Sequence, residues 1–110
     1  MPLYMTQFAY TPEAWAALAK SPEDRTEALR GLAKKMGGKV VNLYYSFGEY
    51  DGVAIFEAPD DVSAAAVAVA ASGAGHVKGT KTTRLLTAAE AVEVMRKAGS
   101  AAYKGPVSKP

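Results

Sequence analysis

Apolar and polar positions along this chain follow two periods, and the switches between them mark out the elements. Residues 3–10 (Leu-Tyr-Met-Thr-Gln-Phe-Ala-Tyr) are rich in aromatic and β-branched side chains and predict a first strand. Thr11-Pro12-Glu13 then signals a helix start, because a threonine hydroxyl can cap and proline suits the first helical position. The resulting short helix, about 12–19, carries Trp15 and Leu18 on one side. Ser21-Pro22-Glu23-Asp24 reads as a second start, with acids opposing the positive helix end. Leu29, Leu32, Ala33 and Met36 follow at i, i+3, i+4 and i+7, one apolar stripe that ends at Lys34-Lys35 and the Gly37-Gly38 exit.

The period then returns to two. Residues 39–47 predict a second strand, with Val41, Leu43, Tyr45 and Phe47 on one face and Val40, Asn42, Tyr44 and Ser46 on the other. Gly48 to Asp51 form a turn, and residues 52–58 return as the antiparallel arm of a hairpin. Asp60-Asp61 caps a helix of about 61–72, almost all small and apolar, that ends at Gly73 or Gly75. Residues 76–86 predict a fourth strand. Thr87 and Glu90 have capping-box spacing and open a last helix, about 88–98, with Ala88, Ala91, Val92 and Met95 as its stripe and Gly99 at its end. Residues 1–99 thus form one domain, and 100–110 read as a tail, mobile or packed on a neighbour. The order, with its added last helix, predicts an α+β ferredoxin-like βαββαβ fold with a four-stranded antiparallel sheet.

Composition narrows the chemistry. The chain has 110 residues, about half apolar, and no cysteine, so disulfides, thiolate metal sites and cysteine nucleophiles are excluded. No membrane-spanning run or signal peptide is visible, and a soluble, cytoplasmic protein is expected. Net charge is +2 but uneven. Residues 40–77 hold five acids and no Lys or Arg, whereas residues 78–110 hold seven Lys/Arg and two acids. The base reading is solvated surface; the sharper one is acidic and basic surfaces meeting between subunits, or an anion collected at the basic end. The basic residues are dispersed without aromatic interleaving, which argues against nucleic acid.

The stretch Gly48-Glu49-Tyr50-Asp51-Gly52, continuing through Val53, Ile55 and Glu57 to Pro59-Asp60-Asp61, resembles the GYD domain family. Thr11, Trp15, Arg25 and Gly37-Gly38 support the likeness, which spans most of residues 3–87. The family fold is similar to that of dimeric α/β-barrel proteins. That resemblance implies a homo-oligomer, at least a dimer with two sheets face to face, and a cleft between sheet and helices. It implies no single activity.

Several residues could carry chemistry. Asp51 and Tyr50 are either turn devices or groups at a cleft mouth. Glu57 lies in an apolar strand, where it is solvated, paired or raised in pKa. His76, the only histidine, is a surface group, a proton carrier or, in a third reading, an axial haem ligand if an apolar pocket surrounds it. Trp15 and Tyr45 are core or interface aromatics, or Trp15 stacks on a ligand in the cleft. Arg25 is badly placed for a helix dipole and suggests an acid partner such as Asp51 or Glu57, or a bound anion. One histidine and no cysteine leave no dedicated metal site, and no phosphate cradle or nucleophile elbow occurs. The leading expectation is a cleft protein without a tightly bound cofactor, acting on a small aromatic or carbonyl compound. Asp51, His76 and Glu57 are its catalytic candidates, and Trp15, Tyr50, Arg25 and Tyr45 its ligand contacts. The alternative is a non-enzymatic oligomeric assembly or interaction protein.

Overall fold

A computed structural model describes residues 1–106. The elements are β1 (Leu3–Tyr10), α1 (Pro12–Lys20), α2 (Thr26–Lys35), β2 (Lys39–Tyr45), β3 (Gly52–Glu57), α3 (Asp61–Gly73), β4 (Val77–Leu85) and α4 (Ala88–Gly99). The strands form one antiparallel sheet in the order β2-β3-β1-β4. This is the expected ferredoxin-like α+β architecture with a C-terminal helix. The tail expectation reaches past residue 106, and 107–110 lie outside the described residues.

Local chemistry explains most boundaries. Thr11 caps α1 by accepting from the Ala14 N–H at 3.1 Å, with Pro12 in the first turn. Asp60 caps α3 through the Ser63 N–H at 2.8 Å. Thr87 and Glu90 exchange the two hydrogen bonds of a capping box at α4. Gly37 has φ +80°, the left-handed exit after α2.

Three expectations need correction. Ser21 does not start α2; its N–H closes α1 on the Ala17 carbonyl at 2.9 Å, and Asp24 accepts from the Thr26 N–H at the true start. Asp61 does not share the capping with Asp60; it accepts from the Tyr4 hydroxyl at 2.5 Å and ties α3 to β1. The two faces of β2 are not the simple alternation of its sequence. The register shifts between Val40 and Asn42, so Val40 pairs with Phe56 while Leu43 pairs with Ala54 and Tyr45 with Gly52. One extra residue, Val41, is the bulge, and it moves Val40 onto the face of Leu43 and Tyr45. The strand also stops at Tyr45, leaving Phe47 fully exposed in the turn.

One sheet face packs under the helices. Tyr4, Phe56, Ala58, Ala64 and Val67 form its buried centre, with Leu29, Leu32 and Met36 against it from α2. Phe56 is the one large side chain among the described residues that is buried completely. The opposite face presents Leu3, Met5, Val53, Ile55 and Leu85, half-buried, and Tyr44, exposed. α4 buries no residue.

Candidate functional site

A cleft lies between the sheet and the helices, and small side chains of α1 and α3 make up much of its helical wall. Its volume is about 440 Å³. The floor is Thr6, Phe8, Tyr10, Leu43, Ala54 and Phe56; Ala14, Ala17 and Leu18 come from α1, Ala28, Leu29 and Leu32 from α2, and Val67, Ala68, Ala70 and Ala71 from α3. Charged groups lining the cleft are few. Glu23, Arg25 and His76 stand with Tyr10 at the end where β1 finishes, α2 begins and β4 starts.

The register accounts for that segregation. Tyr10 pairs with Val77 across the β1–β4 ladder, and the Thr11 N–H donates to the His76 carbonyl at 3.0 Å. The α1–α2 connection brings Glu23 and Arg25 to the same end. The charges of both reach the Tyr10 phenol. Burial, and then the hydrogen bond with Tyr45, hold the Tyr10 hydroxyl well above the usual phenol range, so it is a neutral donor or acceptor.

Outside the Tyr10 wall lies a second cluster, built around Asp51. Asp51 Oδ2 accepts from the Tyr10 backbone N–H at 2.8 Å and from Trp15 Nε1 at 3.1 Å. The Asp51 N–H donates to the Phe8 carbonyl at 2.8 Å, and its carbonyl accepts from the Ser46 N–H at 2.9 Å. The hydroxyls of Tyr10 and Tyr45 are 2.9 Å apart. Trp15 meets the Tyr10 ring edge-on at 5.1 Å, and Phe8 meets Tyr45 at 6.1 Å. The Phe8 ring covers Gly52, where a Cβ would come within 2.4 Å of its tip. The Gly-Glu-Tyr-Asp-Gly segment is therefore a joint that fastens the β2–β3 turn to the ends of β1 and α1.

The sequence candidates separate accordingly. Arg25 and His76 line the cleft; Asp51, Trp15 and Tyr45 form the adjoining joint, which reaches the cleft through Tyr10 and Phe8. Tyr50, half-buried, contributes its carbonyl to the Ser46 hydroxyl at 2.9 Å. Glu57 is on the opposite sheet face, beside Leu3 and Lys39, so it does not meet the other candidates. The acid partner of Arg25 is neither Asp51 nor Glu57: Arg25 Nη1 donates to Glu23 Oε2 at 3.3 Å, two residues away. Sequence reasoning misses Tyr10 as a site residue. Its signal is weak, an aromatic at the last position of a strand just before the Thr11-Pro12 helix start. Among the described residues, no group of three or more acids or histidines could hold a metal ion. No described helix is long and apolar enough to cross a membrane.

A GYD domain profile matches residues 4–95. The chain belongs to the GYD domain family. No curated protein matches the sequence. Among solved structures, TTHA0845 from Thermus thermophilus is similar at TM-score 0.51 and 19% identity, over 80% of this chain and 96% of that one. MtbAldR is similar at TM-score 0.55 and 12% identity, over 99% of this chain and 58% of that one. At these identities the likeness establishes the shared fold of the GYD chain, and its function must be argued from its own residues.

Proposed function

We propose that this GYD protein binds a small, mainly apolar molecule, an aromatic or carbonyl compound, in the cleft between sheet and helices. The supporting observation is the cleft itself: about 440 Å³, apolar over most of its wall, with its charged groups gathered at one end. A cleft open to water at that size leaves apolar wall uncovered, which larger side chains at the alanines of α1 and α3 could have covered. Trp15 senses the site without lining it, through Tyr10. Asp51 acts as the fastening of the wall; both of its donors, the Tyr10 N–H and Trp15 Nε1, belong to the joint, and Asp51 does not line the cleft, which favours a structural over a proton-transfer role. His76, exposed at the cleft end, is the remaining candidate for moving a proton. The haem reading gains least, because an axial histidine needs an enclosing apolar pocket and His76 is exposed.

Titration with phenylbutanol, followed by the emission of Trp15 (the only tryptophan), tests the reading. Binding should be saturable and abolished by Ala71→Phe, which fills the cleft. Unchanged binding in that variant would place the ligand elsewhere.

A homo-oligomer is supported by a separate observation. The open sheet face, with Leu3, Met5, Val53, Ile55, Leu85 and Tyr44, is the surface a second copy would cover.

A further inference from the structure

We infer that the ligand of the cleft carries a carboxylate, held at the polar end by Arg25. This rests on the cleft reading above and adds the chemical class of the ligand. Three relationships carry it.

The first is the polarity gradient. Going inward from Tyr10 to Thr6 along β1, a span of about 13 Å, the cleft changes from Glu23, Arg25 and His76 to Leu32, Val67 and Phe56. A molecule that fills it from end to end needs one polar terminus and an apolar body.

The second is the state of Arg25. Among the described residues its guanidinium donates to a single acceptor, Glu23, at 3.3 Å, through Nη1. A guanidinium has five donors in a fixed fork, so the fork retains capacity for a bidentate acceptor. The Glu23 pair is local and partly exposed, with side-chain exposures of 44% for Arg25 and 56% for Glu23, so it is a weak competitor. A cation in place of the carboxylate would have to displace Arg25 from Glu23 and would leave the guanidinium facing like charge.

The third is the surrounding donor set. Tyr10 keeps its proton, and its hydroxyl is shared with Tyr45. The acid of the nearby joint, Asp51, is turned to the Tyr10 backbone and to Trp15. Among the described residues Glu23 is the one carboxylate lining the cleft, and it is already paired.

The test is calorimetric titration of the full chain with phenylbutyrate and with its neutral analogue phenylbutanol. The expected result is at least about tenfold tighter binding of the carboxylate, the range of a charge-assisted hydrogen bond. Arg25→Gln should erase that difference, bringing the affinity for phenylbutyrate down to that for phenylbutanol in the same variant. Glu23→Gln, which removes the competing negative charge beside the fork, should widen the preference for phenylbutyrate over phenylbutanol. Equal affinity for the two molecules in the wild type, or a preference that survives Arg25→Gln, overturns the carboxylate inference and leaves the cleft reading standing. Binding of neither molecule removes the cleft reading and this inference with it.

Discussion

Asp51 and Trp15 are joined by a hydrogen bond from the indole Nε1 to the carboxylate at 3.1 Å, across 36 positions of the chain. The same oxygen accepts from the Tyr10 N–H. One carboxylate thus connects the hairpin turn, the end of β1 and the start of α1, and the wall of the cleft depends on it. Asp51→Ala should cost about 2–4 kcal/mol in urea unfolding, because two donors lose a charged acceptor. Trp15 emission should shift to the red. A variant of unaltered stability that had lost only ligand binding would reassign Asp51 to the site itself.

Gly38 and Gly31 should respond oppositely to alanine. A Cβ at Gly38 would sit 2.2 Å from the Glu57 carbonyl oxygen, backbone that cannot swing aside. Gly38→Ala should cost about 3 kcal/mol or more, or prevent folding. Gly31 lies within α2 with nothing near its Cβ position. Gly31→Ala should stabilise by about 0.5–1 kcal/mol. Thermal denaturation of the two variants checks both signs.

Stability should fall at both ends of the pH scale. The capping hydrogen bonds from Ser63 and Thr87 hold the Asp60 and Glu90 carboxyls below their usual 3.8 and 4.5. A group whose folded pKa is lowered stabilises the fold above its unfolded pKa and loses that contribution as pH falls through the folded value. The acid limb therefore belongs below about pH 4. Tyr10 is shifted upward from 10.0 by burial, so its contribution is complete below that value and is lost as pH rises above it. Chemical denaturation across pH should show both limbs, and Tyr10→Phe should flatten the alkaline one.

If the open sheet face pairs with a second copy, Ile55→Glu will dissociate the assembly, since two charges would meet in an apolar interface. Sedimentation velocity should show a wild-type oligomer and a monomeric variant. A wild-type monomer would oppose the pairing.

The fold was legible where local chemistry sets it. Thr11-Pro12, Asp60 and the Thr87/Glu90 pair each cap the helix that their residue types announce. The Leu29, Leu32 and Met36 stripe packs on the core as its period requires. Long-range contacts were not legible. Nothing near Asp51 in sequence points to Trp15 or Tyr10, and nothing near Asp61 points to Tyr4, 57 positions away. The bulge at Val41 defeated the two-residue period, because one unpaired residue reverses every face assignment on one side of it. Glu57 was placed correctly on the Val53 and Ile55 face, but that face points away from the cleft. The cleft could not be read because it comes from alanines, which the sequence offers equally as close packing or as space.

The decisive measurement is methyl NMR of the wild-type protein titrated with phenylbutanol. Binding in the cleft predicts saturable shifts at Leu29, Leu32, Leu43, Val67 and Val77, which line it, with Leu3, Val53 and Ile55 of the opposite face unmoved. Shifts confined to Leu3, Val53 and Ile55, or none at any methyl, would contradict a ligand site between the sheet and its helices.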